Sequence, residues 1–453
     1  MKAKNAILAL CIFVLEAALN VSCGYANGIF ITPGAKAAGM GYAFTSIADD
    51  ATAIYWNPAG LAAQKGTQAE ASAFYMSDPT KSNKSLANAV APNPANGDFP
   101  LPAVYNALGL GTIEPSFAKK TMSVDCFSPF VACISTYKGI VYAIGFYGIA
   151  GGGGKFSDTV ADAMGGADRI SGVVDAQQAI SIYNVSAAMD VSEGLALGLG
   201  LDMVNMTDKL SVEKSYTINP GSMLTGTGLA SYDINASNDA SGSGIQFNVG
   251  AKYKVSENIN AGLVFRTGTN IALKGKSTYI QSGLAAIGSP DANLSSNYNK
   301  DYAFPSTVDL GVSFQPQPKL IVAAGVGYDM YYSMKNDVTY ANPVPGIFDN
   351  VDQSSHWKSV PLYRLGAQYL CNTNFSIRGG IETDPAPFAV DNMTFLNTNQ
   401  FSMTYFLLGA GYSLGKVRLE GVYSYGMSDS PSSGDRTSQF NINVYRLDLQ
   451  YNF

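Results

Sequence analysis

The chain has 453 residues, a formal net charge of −6 and only 14 % charged residues, against 27 Tyr, 22 Phe and 47 Gly. That balance excludes a nucleic-acid binder, which needs a basic stripe. Beyond the leader, no apolar run approaches the ~18 consecutive residues of a membrane-spanning helix.

The first element is a secretory leader, residues 1–26. Lys2 and Lys4 form its basic start, Ala6 to Leu15 its apolar core, and the small residues Gly24 and Ala26 its cleavage site. A lipoprotein site ending at Cys23 is the alternative, although Asn20 stands where such sites carry an aliphatic residue. Either reading takes the chain out of the cytoplasm. Cys126, Cys133 and Cys371 then remain, an odd number without metal-ligand spacing.

The next stretch, PGAKAAGMGYAFTSIADDATAIYWNPAGL from Pro33 to Leu61, is too rich in Gly and Ala for a strand and too interrupted for one helix. Asp49 and Asp50 offer N-cap carboxylates to a short turn at Ala51 to Tyr55. Asn57 caps a second turn with Pro58 at its first position, where a missing N–H costs nothing. The stretch reads as a compact plug without a core of its own.

Three blocks of this plug carry a family resemblance: Gly34 to Phe44, Ile47 to Ala53, and Asn57-Pro58-Ala59-Gly60-Leu61. In order and spacing they resemble the N-terminal hatch of the FadL family, outer-membrane transporters of long-chain fatty acids and other hydrophobic molecules. The resemblance implies a hatch over residues 27–65, with Asp49, Asp50, Asn57, Pro58, Ala59 and Gly60 as its hatch residues, and a transmembrane barrel over residues 66–453.

From Gly66 onward, segments of alternating polarity recur, joined alternately by short turns and long loops. Val308, Leu310, Val312 and Phe314 share one face; the chain turns at Pro316-Gln317-Pro318 and returns through Leu320, Val322, Ala324, Val326, Tyr328 and Met330. Lys138-Gly139, Asp190 to Glu193, Ser256 to Asn258 and Asn372-Thr373-Asn374 are further short turns. With a first strand near Thr67–Met76, the count is about fourteen antiparallel strands, all-β, closed so that no edge meets lipid. The even count places both termini on the periplasmic side. Val422 breaks the strict alternation of its strand.

The opposite strand faces predict a charged lumen lining: Lys252, Arg266, Arg364, Arg378, Glu382, Arg418, Glu420, Arg446 and Asp448. In the expected geometry Asp49 and Asp50 anchor the hatch, either by capping or by pairing with arginines such as Arg364 or Arg378. The chain ends with aromatic and Leu residues at alternate positions up to Phe453, which resembles the signal read by the barrel assembly machinery.

Catalytic chemistry has no constellation to rest on. His356 is the single histidine, in a stretch read as a long loop, and no serine stands at nucleophile-elbow spacing. Gly151 to Gly154 lacks the Lys-Ser/Thr of a phosphate loop and reads as the start of a mobile loop. No metal and no cofactor is expected. Apolar groups in the long connections (Phe99 to Ile113; Leu224, Leu229, Tyr232 and Ile234; Tyr279, Ile280, Leu284 and Ile287) read as a cap packed on itself over the barrel or, in the sharper reading, as one that also encloses a greasy landing groove. The expected function is passive transport of hydrophobic small molecules through a hatch-plugged barrel, in contact with outer-membrane lipid and lipopolysaccharide. A component of a protein secretion system, with its own secretion partners, is the alternative.

Overall fold

The computed structural model describes residues 32–77, 121–123, 125–161, 169–218, 228–283, 285, 290–331, 337–345, 347–350, 358–387, 402–428, 432–433, 436–437 and 441–453. The leader, His356 and the apolar run Phe99 to Ile113 lie outside these residues, as do Leu224, Leu284 and Ile287.

Fourteen strands close on themselves: β1 Thr67–Ser77, β2 Asp125–Tyr137, β3 Ile140–Ala161, β4 Arg169–Ser192, β5 Leu195–Thr217, β6 Ser231–Ser256, β7 Ile259–Arg266 continued by Thr269–Ser282, β8 Ala292–Phe304 continued by Ser306–Gln317, β9 Leu320–Met330, β10 Val360–Leu370, β11 Phe375–Asp384, β12 Met403–Leu414, β13 Val417–Ser428 and β14 Asn441–Asn452. Each pairs antiparallel with its sequence neighbours, and the seam is closed by β1 against β14 in the register Gln68↔Asn452 to Ser77↔Asn443. At its foot the Phe453 N–H donates to the Thr67 carbonyl at 3.0 Å. Closure leaves no unpaired edge, the condition a sheet must meet in lipid.

Alternation decides which face is which. Leu310, Val312 and Phe314 project outward, as do Leu365, Leu408, Leu447 and Leu449, each more than 40 % exposed. Two belts of outward tyrosines bound this apolar band, Tyr363 and Tyr445 on one level and Tyr369 and Tyr451 on the other. That pairing of an apolar band with aromatic girdles is what a bilayer selects. Inward positions are polar or pack on the contents of the lumen. Val422 is one of them: it turns inward, 6 % exposed, against Gly39 of the N-terminal segment, which is why it departs from its strand's outward period.

The wall is not of even height. Strands β3 to β6 run 22, 24, 23 and 26 residues, whereas β9 to β14 run 10 to 12. About 9–11 residues suffice to cross a bilayer, so this arc of the wall projects well past the membrane on the side of the long connections. Here two sequence expectations are corrected. Gly151 to Gly154 lie inside β3, paired with Gln178 to Ala176 and Ala179 of β4, and do not begin a loop. Tyr232, Ile234, Tyr279 and Ile280 belong to β6 and β7 rather than to loops. Tyr232, Ile234 and Tyr279 do form an apolar cluster with Leu229 and Phe348 in this tall arc. Lys300 of β8 reaches Asp208 of β5 across its concave side, so the arc is curled.

Cys371 is a free thiol.

Candidate functional site

Residues 32–66 fold inside the ring of strands. Two helical turns, α1 Ala35–Gly39 and α2 Ala53–Trp56, are followed by a 3-10 turn at Pro58–Ala63. Small residues allow this: Ala35, Ala37, Ala38, Ala48, Ala51 and Ala53 are fully enclosed, so backbone packs on backbone. The wall gives way too. A β-carbon at Gly366 would strike the Met40 carbonyl, and one at Gly198 would strike the Pro58–Ala59 peptide. Glycine at these two positions lets the segment touch β10 and β5 directly.

Asn57 is the best-connected of the hatch residues singled out in sequence. Its side-chain oxygen accepts the Ala59 N–H at 3.1 Å, the expected cap, with Pro58 at the first position of the turn. Its amide donates to Thr45 O at 2.9 Å and to Ala251 O of β6 at 3.0 Å. Asn57 thus fixes the turn, the preceding loop and the wall at once. Pro58, Ala59 and Gly60 are buried behind it, with Gly60 in contact with Ala48.

The two acidic residues divide their roles. Asp50 is 3 % exposed and accepts from the Thr52 N–H at 3.0 Å and from the Thr52 hydroxyl, which shapes the turn ahead of α2; the expected cap does not form, because the helix begins later, at Ala53, and its N-cap position, Thr52, makes no side-chain cap. Asp49 pairs with Lys36 of α1, both carboxylate oxygens lying 2.6 Å from Nζ. The expected pairing with Arg364 or Arg378 does not form, because each already holds wall carboxylates. Burial raises the Asp49 carboxyl, but the Lys36 ammonium outweighs it and holds the group below the usual carboxylate range. Burial, with Asp49 beside it, pushes Asp50 up.

Of the lumen arginines, Arg364 bridges Asp309 of β8 and Glu382 of β11. Arg378, whose side chain is completely enclosed, pairs with Glu420, and Arg418 shares that carboxylate at 2.6 Å. These two clusters brace the wall. Arg266 and Arg446 grip the inner segment instead. Arg266 donates to the Tyr55 carbonyl and lies 4.5 Å from its ring centroid; Arg446 donates to the Thr32 carbonyl and, at 2.9 Å, to the Tyr42 hydroxyl. Sequence reasoning missed three further grips. Lys252 donates to Ile47 O, Asp448 accepts the Ala35 N–H, and Glu70 of β1 accepts the Ala51 N–H at 3.0 Å. Lys252 and Asp448 stood in the predicted lining without partners; Glu70 alternates inward on β1 and was findable by the same period.

Above α2 the segment presents an aromatic face. Tyr42 and Trp56 are stacked with centroids 5.6 Å apart, Tyr55 meets Trp56 edge-on at 5.0 Å, and the Trp56 indole N–H donates to Pro33 O at 2.8 Å. This face floors a cavity that is partly open to solvent. Phe74, Ile182, Phe304, Leu362, Ile442 and Val444 give it apolar walls, and Arg266, Arg364, Arg446, Asp309, Asp329, Glu382 and Asp384 give it charge. The result is an amphipathic chamber whose floor is the segment and whose sides are the barrel.

Burial pushes the Tyr55 phenol up to about 12, with Arg266 acting against it. Free phenols ionise near 10. Docking of the segment is therefore constant below pH ~10 and weakens as pH rises toward about 12, because the released segment ionises first. Protease cutting of the segment in purified barrels, followed from pH 8 to 12, should stay flat and then rise in that window. A flat profile to pH 12 would contradict the burial of Tyr55.

The family described as outer membrane protein transport protein (OMPP1/FadL/TodX) matches residues 18–431 of this chain. The chain belongs to that family. FadL/TodX proteins are outer-membrane transport proteins, not enzymes. Solved structures of the same fold include a TodX monoaromatic hydrocarbon channel deltaS2 mutant (13% identity, 93% of this chain, 99% of that one, TM-score 0.70). They also include a Pseudomonas aeruginosa FadL homologue (14% identity, 94% of this chain, 100% of that one, TM-score 0.64) and the Ralstonia pickettii toluene transporter TbuX (16%, 93%, 98% and 0.61). No curated protein matches the chain by sequence.

Proposed function

We propose that this FadL/TodX-family barrel carries hydrophobic small molecules, long-chain fatty acids or hydrocarbons, passively through the outer membrane, with residues 27–65 acting as a movable hatch. The observation that carries the reading is the chamber between the aromatic face of α2 and the wall: it sits inside a closed barrel and holds apolar and aromatic surface where a water channel would be polar throughout. Hydrophobic molecules cross the polar lipopolysaccharide layer poorly, and a protein chamber lowers that barrier. The inner segment is held by hydrogen bonds to the wall and by apolar packing of Met40, Phe44, Ile54 and Leu61. The family's transport role and the titles of the related channels, monoaromatic hydrocarbon among them, support this cargo class.

Uptake of radiolabelled oleate and of toluene by cells with and without the gene tests the reading. Faster uptake of at least one with the gene is the expected result; equal rates for both would overturn it.

Orientation belongs to the same proposal. The short turns face the periplasm together with both termini, and the tall arc stands outside the cell. Tags at Gly288 or Ser432 should be reached by impermeant reagents on intact cells, and tags at Gln317 or Thr373 should not. Labelling of all four positions alike would refute this topology. The assembly machinery that reads Phe453 and the lipopolysaccharide around the arc are the partners this orientation implies.

A further inference from the structure

The inner segment is tied to the wall at two kinds of place. Asn57, Lys252, Glu70 and Asp448 make ties away from the chamber, since none of the four is among its lining residues. Three other ties line the chamber on both sides. Arg266 of β7, Arg364 of β10 and Arg446 of β14 each lay a guanidinium over one ring of the aromatic face, 4.5 Å from the Tyr55 centroid, 5.6 Å from Trp56 and 5.5 Å from Tyr42. The three rings meet in series, Tyr55 on Trp56 and Trp56 on Tyr42. Of the ties described above, a molecule in the chamber reaches these three alone.

The shape of a guanidinium sets what can compete for it. The group is planar, its donors lie in the plane, and its faces take aromatic rings. Here the in-plane donors already hold oxygens. Arg364 holds Asp309 and Glu382, Arg266 the Tyr55 carbonyl and the Thr307 hydroxyl, and Arg446 the Thr32 carbonyl and the Tyr42 hydroxyl. The Nε atoms of Arg266 and Arg446 are enclosed, beyond the reach of a ligand. What these residues offer an entering molecule is therefore the face, and a ring of the segment covers it. A neutral arene carries the same kind of face, and a saturated ring of equal size does not. The arene binds better where the segment's ring has left the guanidinium than where that ring still covers it. A saturated ring gains nothing from the exchange. Because a ligand shifts a two-state equilibrium by its difference in affinity for the two states, the arene pulls the segment toward release, and the saturated ring fills the chamber without releasing it.

We propose that Arg266, Arg364 and Arg446 couple the chamber to the hatch: an aromatic ring in the chamber takes the place of Tyr55, Trp56 or Tyr42 on a guanidinium face and frees the segment. This rests on the reading of residues 27–65 as a movable hatch. It adds the contact through which cargo moves the hatch and makes the discrimination between ring types a matter of release, not of fit.

Backbone hydrogen exchange over residues 35–56, read by mass spectrometry on the purified barrel, is compared without ligand, with toluene and with methylcyclohexane. The two ligands are brought to equal bound amounts by headspace depletion. A ligand that merely fills a chamber slows exchange in its walls. Toluene should instead speed exchange of the segment at least about fivefold, whereas methylcyclohexane should leave it unchanged or slow it. Arg364→Lys keeps a cation beside Asp309 and Glu382 but has no planar face, and it should cut the toluene acceleration to less than about half. Lys252→Met breaks a tie away from the chamber, so it should raise exchange without ligand and keep the toluene factor. If Arg364→Lys loses its heat-modifiable band, Trp56→Leu removes the other side of the same contact and should show the same loss. Slower exchange with toluene, equal acceleration by both ligands, or a toluene factor indifferent to Arg364→Lys and Trp56→Leu would each overturn the proposal. Equal whole-cell uptake with and without the gene, with the toluene acceleration intact, would instead remove the transport reading and leave the coupling standing.

Discussion

Deleting residues 28–60 should leave a barrel that inserts into the outer membrane but conducts at least about tenfold more current in planar bilayers, while hydrophobic uptake collapses. The wall does not need the segment for its own hydrogen bonds, since all fourteen strands pair with each other and the seam closes through β1 and β14. What the deletion removes is the content of the lumen: α1, α2, the aromatic floor of the chamber and the Asn57 tie to β6. It also leaves Arg446, Asp448 and Glu70 without their inner partners. These groups become hydrated once water fills the lumen, so the penalty is moderate and the heat-modifiable band should survive. Unchanged conductance together with unchanged uptake would mean that the segment neither plugs nor gates.

Glu420→Met should be the most destabilising single change in the wall, at ~3–5 kcal/mol. Glu420 accepts from both Arg378 and Arg418, and the Arg378 side chain has no access to solvent. Removing the carboxylate strands an enclosed guanidinium with only Gln368 and Ser376 as acceptors. Pairing it with Arg378→Met should recover a good part of the loss, because the cost lies in the orphaned charge rather than in the missing attraction. The urea midpoint of the heat-modifiable form reads both. A single-variant effect below ~1 kcal/mol would show that water reaches Arg378 after all.

Much of this architecture is written locally. The turns at Lys138-Gly139 and Asn372-Thr373-Asn374 stand where the structure turns, since turn chemistry and a two-residue period are read within ten positions, whereas the one read at Pro316-Gln317-Pro318 falls at Pro318-Lys319 because the strand runs on to Gln317. The inward set from Arg266 to Arg446 follows from that same period. The Asn57 cap was equally legible, because its partner is two residues away. Partner choice was not. Asp49 turns to Lys36, thirteen residues back, rather than to a wall arginine, and nothing in the spacing decides between them. Strand length also escaped. Gly151 to Gly154 looks like an interruption, yet hydrogen bonds to β4 carry the strand through it, and those depend on a neighbour the local sequence does not reveal.

The seam is also where the inner segment meets both ends of the chain. Every other strand pair is a hairpin between sequence neighbours, but β1 and β14 come from opposite ends of the chain. Loop-closure entropy rises by only about 0.6 kcal/mol per doubling of length, yet this loop is nearly the entire barrel, and until it closes two edges stand open. The segment is tethered to β1 through Gly66, bonds to it at Glu70, and grips β14 at Arg446 and Asp448. It therefore straddles the join from within. It is a splint laid across the one junction where strands from opposite ends of the chain meet.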